Sequence, residues 1–251
     1  MSMRAPNATI QPFRHARGEG AIVFDADALR QTPSPEWFDP AHWGKAAERV
    51  GSGGRGGAWF IDAADGAMVL RRYLRGGLMA KLSRDAFVWR EQESVRSLAE
   101  FNLLQALEAR GLPVPRALAA AYWRAGRHYR AAILLSRIVN VHAFGARVVQ
   151  DATSAPWQAC GELIARFHRA GLDHADLNAH NLLFDDADNG WMIDLDKSRL
   201  RDGGGDWRDA NLARLRRSLD KISDGRMRRE IDAGFGQLQR AYDAAMDEAE
   251  A

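Results

Sequence analysis

A single cysteine, Cys160, in a chain of 251 residues excludes an internal disulfide and sets the expectation of a reducing compartment, by default the cytoplasm. No stretch approaches the ~18 uninterrupted apolar residues that a membrane span needs. Residues 1–20 lack the apolar centre of a secretory signal. Charge of one sign is equally scarce: 35 Lys plus Arg against 33 Asp plus Glu leave +2, so no nucleic-acid partner is expected. Repeats at solenoid periods and low-complexity blocks are also missing, which argues against an array architecture. What remains is 46% hydrophobic residues, enough to build a sizeable core in one large domain or two modest lobes.

The chain changes character midway. Between about residues 48 and 74, "ERV", the glycine-rich "GSGGRGGA", "WFID", a turn at Ala64-Asp65-Gly66 and "MVLRRYL" read as a small set of strands. From Arg84 to Arg110, Val95, Leu98, Phe101, Leu104 and Leu107 recur at helical intervals, and Gly111 and Pro113 stop the helix. "YRAAILLSRIV", residues 129–139, reads as a buried strand. Beyond it, helices are expected over Trp157–Ala170, ending at Gly171, and over Asn211–Ile222. A β-rich first half and a helical second half predict an α+β protein of two lobes. The expected division is an N-terminal extension over 1–47, a first lobe over 48–139 and a second over 140–251.

The chemistry concentrates in "GLDHADLNAHNLLFDD", residues 171–186. "NLLFDDADNGWMIDLD" reads as a β-hairpin with Asn189-Gly190 as its turn signal. A four-residue loop closed by Asp185 and Gly190 would set Asn181 opposite Asp194, with Asp176 in the loop entering the first strand. Three oxygen-bearing side chains then converge. Asn181 and Asp194 suit a hard cation such as Mg²⁺, and Asp176 suits a general base that takes a proton from a substrate hydroxyl. A second reading makes His174, Asp176 and His180 ligands of a metal-dependent hydrolase, with Asp194 and Asp196 nearby. In the first reading His174 packs against its loop and hydrogen-bonds backbone instead.

The glycine-rich stretch, with Gly51, Gly53, Gly54, Gly56 and Gly57, lies between strand-like segments, where backbone N–H groups can approach phosphates. A dinucleotide fold would need a helix next, but Ala58–Asp62 reads as strand, which fits a strand-loop-strand flap over ATP. Such a site needs a cation on the neighbouring strand and a carboxylate to hold it. Glu100 is the candidate carboxylate. Arg71 stands where a lysine is expected, with Lys81 as the alternative cation.

These residues resemble the protein-kinase-like superfamily, in the form used by small-molecule and lipopolysaccharide kinases. "LRRYLRGGLMAKL", "AEFNLLQALEARGLPVPRALAA", "GELIARFHRAGLDHADLNAHNLLFD" and "NLARLRRSL" are more closely similar to the 3-deoxy-D-manno-octulosonic acid (Kdo) kinases. The resemblance covers most of residues 48–222. It implies a bilobal kinase-like fold with a small β-rich N-terminal lobe and a larger helical C-terminal lobe. It also implies ATP-dependent phosphorylation of the Kdo 4-hydroxyl in Kdo-lipid A, at the cytoplasmic face of the bacterial inner membrane. Asp176 matches the base, Asn181 and Asp194 the Mg²⁺ ligands, Gly51 to Gly57 the flap, Glu100 the helix carboxylate, and Leu135 to Ile138, with Ser136, the hinge that meets adenine. Leu195-Asp196 follows Asp194 where protein kinases carry Phe-Gly.

An anionic glycolipid substrate agrees with Arg71, Arg72, Arg75, Lys81, Arg214 and Arg217. Residues 71–90 are the best candidate for peripheral attachment to a membrane surface. The same cations also read as solvated faces, and Trp207 as a core anchor for Leu212 and Leu215. No obligate protein partner is expected. The alternatives are a kinase for heptose, an aminoglycoside or another small hydroxyl compound, and a catalytically weak kinase-like binding module.

Overall fold

The computed structural model describes residues 8–16, 18–51, 57–64, 66–74, 85–223 and 227–248. The chain forms two compact units, Met1–Ala106 with Pro115–Arg137, and Leu107–Val114 with Ile138–Ala251. By these bounds the units are nearly equal in length.

The first unit carries strands β1 (Ala8–His15) and β2 (Gly18–Asp25), the short helix α1 (Pro40–Trp43), strands β3 (Ala47–Arg49), β4 (Ala58–Ala63), β5 (Gly66–Arg72) and β6 (Phe87–Val88), helix α2 (Arg96–Glu108), and strands β7 (Ala117–Ala125) and β8 (His128–Ser136). They form one antiparallel sheet in the order β1-β2-β7-β8-β5-β4-β3, with β6 also on β8. The segment before residue 48, expected to be an extension, thus supplies two strands of the sheet itself. Ile22, Phe24, Trp37, Phe38, Ile61, Met68, Leu70 and Leu134 form a continuous buried cluster. Helix α2 buries Leu98, Phe101, Leu104 and Leu107. Its Ser97 hydroxyl donates to Ala121 O (2.9 Å), tying the helix to β7.

This helix begins at Arg96, not at Arg84 as the spacing of apolar residues suggested. Phe87 and Val88 pair with Tyr129 and His128 of β8. A separate turn at Gln92–Ser94, in which Ser94 Oγ donates to Glu91 O (2.8 Å), precedes the helix. Backbone groups already paired in the sheet cannot join a helical ladder.

The second unit carries strand β9 (His142–Ala143), helices α3 (Phe144–Gln150) and α4 (Trp157–Arg169), the short strands β10 (Leu172–Asp173), β11 (Leu182–Phe184), β12 (Gly190–Met192) and β13 (Arg199–Leu200), and helices α5 (Trp207–Ile222) and α6 (Arg228–Asp247). Strands β12-β11-β9 make one small sheet and β10-β13 another. Helix α4 presents Trp157, Cys160, Leu163, Ile164 and Phe167 to the core, and burial pushes the Cys160 thiol pKa up. Close approach of α4 and α6 depends on Gly161, where a Cβ would come within 2.2 Å of Leu238 O. Helix α4 ends in the residue expected: Gly171 has φ +83° and donates its N–H to His168 O (3.0 Å). A side chain there would also collide with Arg201 O at 2.4 Å.

Candidate active site

Gly171 turns the chain into β10, which pairs with β13 and releases residues 174–181 as a loop. His174 organises that loop. It is 1% exposed; its Nδ1 accepts the Asp176 backbone N–H (3.1 Å) and its Nε2 lies 3.1 Å from Ile193 O. Because Nδ1 is an acceptor, the ring is the neutral tautomer that donates from Nε2. Burial above all holds its pKa below the ordinary histidine value, although Asp194 and Asp176 both pull it upward. The His174 backbone N–H donates to Asn211 Oδ1 of α5 (2.9 Å).

The Asp176 carbonyl is the second hub, accepting from Asn181 Nδ2 (3.0 Å) and Asn178 Nδ2 (3.1 Å). Asn181 is 8% exposed, and with its Nδ2 committed to that carbonyl, Oδ1 remains as the amide's acceptor. The loop is fastened again where Ala179 N donates to Ser218 Oγ (2.9 Å) and Gly145 N to Ala179 O (2.8 Å). The Asp176 carboxylate itself is largely exposed, with Arg214 Nη1 3.3 Å from its Oδ1.

The hairpin forms, but one residue out of the expected register. Leu182 pairs with Met192, Leu183 with Trp191 and Phe184 with Gly190, so Asn181 does not face Asp194. Turn chemistry explains the shift. Asp185 Oδ1 accepts the N–H groups of Ala187 and Asn189 (2.9 Å each), Asp185 N donates to Asn189 O, and Asp188 takes the left-handed position at φ +60°. The loop therefore holds three residues instead of four. Asn181 O accepts from Ile193 N (3.0 Å), and Asp194 follows in a left-handed conformation at φ +58°. Such a backbone costs a non-glycine residue ~1–2 kcal/mol. Asp176, Asn181 and Asp194 are thus linked through His174 and the Ile193 backbone rather than by direct cross-strand pairing.

The hydrolase reading loses its ligands. Both His174 nitrogens serve backbone groups, His180 is exposed, and among the described residues no group of three or more His, Cys, Asp or Glu is arranged to hold a metal.

In the first unit, β3 and β4 pair antiparallel on either side of the glycine-rich stretch, with Ala47 opposite Ile61 and Arg49 opposite Trp59. Gly51 has φ +69°. Gly57 sits where a Cβ would meet Arg72 O at 2.7 Å. Gly53, Gly54 and Gly56, like Lys81, lie outside the described residues. Arg71 on β5 forms an ion pair with Glu100 of α2. Tyr73, which the sequence reasoning missed, completes the group: its hydroxyl donates to Glu100 Oε2 (2.5 Å) and lies 3.3 Å from Arg71 Nη2. Burial first, and then the Glu100 charge, raise the Tyr73 pKa well above its ordinary value. The signal for Tyr73 was its alternation with Arg71, two residues apart on one strand face.

At the expected hinge, the Ser136 hydroxyl accepts the Arg116 N–H (2.8 Å) and Ser136 N donates to Arg116 O (2.9 Å). Its side chain therefore serves the sheet. Ile138 lies two residues beyond the end of β8. Of the cations expected to meet an anionic lipid, Arg71 is held by Glu100, and Arg72 by Phe38 O (3.1 Å) and Asp39 (3.2 Å). Arg75 and Lys81 are outside the described residues, while Arg214 and Arg217 flank the Asp176 loop. Trp207 is half-buried, with its ring against His168 at 5.1 Å between centroids.

The model of the lipopolysaccharide kinase (Kdo/WaaP) family matches residues 40–242. A 3-deoxy-D-manno-octulosonic acid kinase of Stenotrophomonas maltophilia (strain R551-3) is 53% identical over 239 residues, covering 95% of this chain and 96% of the relative. One of Xanthomonas axonopodis pv. citri (strain 306) is 51% identical over 236 residues, covering 94% of each. With family and relatives in agreement along nearly the whole chain, the protein belongs to the lipopolysaccharide kinase (Kdo/WaaP) family and is an ATP-dependent kinase.

Proposed function

We propose that the chain phosphorylates the 4-hydroxyl of Kdo in Kdo-lipid A, working peripherally at the cytoplasmic face of the bacterial inner membrane during assembly of the lipopolysaccharide inner core. The substrate class is supported by relatives of 51–53% identity that are Kdo kinases. The observation that carries the chemistry is the Asp176 loop, whose backbone is fixed by His174 and Asn181 while its carboxylate stays exposed.

An exposed carboxylate on a rigid loop can accept a proton from an acceptor hydroxyl as that oxygen attacks the γ-phosphorus. The new O–P bond forms as the bond to the bridging oxygen breaks, ADP leaves, and the proton resides on Asp176. His174 positions the base through its backbone, and its neutral ring does not compete for that proton. The donor set fits a hard cation: with Nδ2 engaged, Asn181 keeps Oδ1 as its acceptor, and Asp194 adds a carboxylate. These two residues would hold Mg²⁺, which when bound neutralises charge on the nucleotide phosphates. In the first unit the Arg71–Glu100–Tyr73 group presents a guanidinium for nucleotide phosphate. Its existing pairing with Glu100 argues that arginine takes over the place of the expected lysine. The glycine-rich β3–β4 connection is the proposed nucleotide flap, with the Ser136–Ile138 segment as the adenine contact.

The test is transfer of labelled phosphate from ATP to Kdo-lipid A, with the product's position read by NMR. Label at the Kdo 4-position is expected. Label that appears instead only in a heptoside or a soluble aminoglycoside would assign the chain a different acceptor. Co-sedimentation with anionic vesicles tests the membrane location; protein that stays in the supernatant would contradict it.

A further inference from the structure

A recess of about 470 Å³ opens beside the Asp176 loop, within the size range of small-ligand sites (~300–1,000 Å³). Its walls include Asp173, Arg201, Trp207, Ala210, Arg214 and Arg217. Ala210, Arg214 and Arg217 are spaced four and three residues apart on α5, so they share one helical face.

The charges in this recess are unequal in their commitments. Arg201 Nε donates to Asp173 Oδ2 (2.7 Å), and Asn211 Nδ2 to Asp173 Oδ1 (3.1 Å). Burial alone would raise the Asp173 pKa, but these bonds outweigh it and hold the carboxyl below its ordinary value. Asp173 and Arg201 therefore neutralise each other, and both Asp173 oxygens are occupied. Asp206, the other acid on the wall, precedes α5, where the helix dipole favours a negative charge. Arg214 makes a long 3.3 Å contact with the exposed Asp176 carboxylate. Arg217 has no ion partner among the described residues. Two guanidinium groups thus stand at the recess with spare donors, and one of them already touches the proposed base.

We propose that Arg214 and Arg217 bind the anionic group of the acceptor beside the hydroxyl that Asp176 deprotonates, and so select an acidic sugar over a neutral one. The inference rests on the kinase reading of Asp176 given above. A carboxylate matches the forked donors of arginine and can take two hydrogen bonds from each. Because Arg214 borders both recess and base, the anion and the reacting hydroxyl must belong to the same small region of one molecule. An acidic sugar supplies both. Trp207 gives the recess an apolar wall for the ring. Arg214 and Arg217 are specificity-determining residues in this account. A phosphate on the lipid anchor would offer similar chemistry, so the experiment separates the two sources.

The experiment measures acceptor and ATP kinetics for the wild type, Arg217→Gln, Arg214→Gln and Arg217→Lys. Three acceptors are used: Kdo-lipid A, its Kdo carboxamide, and Kdo-lipid A lacking the lipid phosphates. Wild-type turnover on Kdo-lipid A is measured first. Its absence would remove the Kdo-lipid A reading and this inference with it; its presence makes the remaining outcomes a test of the inference alone. For Arg217→Gln the acceptor KM is expected to rise ~10-fold, the effect of losing about one charged hydrogen bond, with ATP KM unchanged. The carboxamide should cost the wild type a similar factor and cost Arg217→Gln no more, since both changes remove one interaction. Arg217→Lys should recover part of the loss. If the dephosphorylated acceptor shows that non-additivity instead, the anion site stands and its ligand is the lipid phosphate. Acceptor KM values within twofold of wild type for both glutamine variants, or wild-type rates that are equal on all three acceptors, would overturn the proposal.

Discussion

Replacing His174 by alanine removes the two hydrogen bonds that join the Asp176 loop to the strand leading to Asp194. Each is worth ~1 kcal/mol net, and the Asp176 N–H and Ile193 carbonyl left behind add a desolvation cost that brings the total to ~3 kcal/mol. The side chain is 1% exposed, so a cavity adds to that loss. His174→Phe separates the two contributions, because it fills the space but restores neither hydrogen bond. Urea unfolding followed by tryptophan fluorescence should show both variants destabilised, with phenylalanine recovering at most ~1 kcal/mol. Turnover, measured where each variant is fully folded, should fall more than ATP affinity does. A phenylalanine variant with wild-type stability and turnover would refute the positioning role and leave His174 as packing alone.

Arg71→Ala should raise the ATP KM at least ~10-fold through loss of a charge-assisted phosphate contact, whereas an unchanged ATP KM would move that role to Lys81. Arg71→Lys should do better than alanine while failing to restore the wild-type value, because the fork that meets Glu100 and the Tyr73 hydroxyl is lost. The protein should also weaken in mild acid. His168 is held down to about pKa 4, chiefly by burial and then by Arg208. Between its ordinary value of 6.5 and about 4, the unfolded chain binds a proton that the folded chain does not, so stability falls as pH falls through that window. The full effect is ~3 kcal/mol, and His168→Gln should flatten the dependence of unfolding free energy on pH over that range. An unaltered pH profile in that variant would contradict the assignment.

The parts of the site that sequence made legible are those fixed by local chemistry. Gly171 ends α4 because only a left-handed residue without a side chain fits against Arg201 O. The Arg71–Glu100 pair was legible as a strand cation and a helix carboxylate. Turn detail was harder. Asn189-Gly190 looks like the hairpin turn, but the Asp185 side chain captures two N–H groups and Asp188 takes the left-handed position. The register therefore moved by one residue, and Asp194 reached its position through its own left-handed turn. Tertiary context hid other elements altogether. Strand β7 runs through three consecutive alanines, Ala119 to Ala121, a composition that favours helix and was overridden by pairing on both sides with β2 and β8. In β1, Pro12 disguised a strand, which the fold tolerates at the edge of the sheet. Helix α6 carries Ile231, Phe235, Leu238 and Tyr242 at helical spacing, a legible stripe that no chemistry-bearing motif called attention to.

The central claim, that Asp176 takes the proton from the acceptor hydroxyl, is tested most directly by Asp176→Asn. The amide keeps the size of the side chain, and the bonds that His174 and Asn181 make to the Asp176 backbone do not involve the carboxylate. With Kdo-lipid A and ATP, kcat is expected to fall by ~10²–10⁴, the usual contribution of a general base, while ATP binding measured by calorimetry stays within about threefold, ~0.7 kcal/mol. Turnover close to wild type in the Asp176→Asn protein would contradict the account.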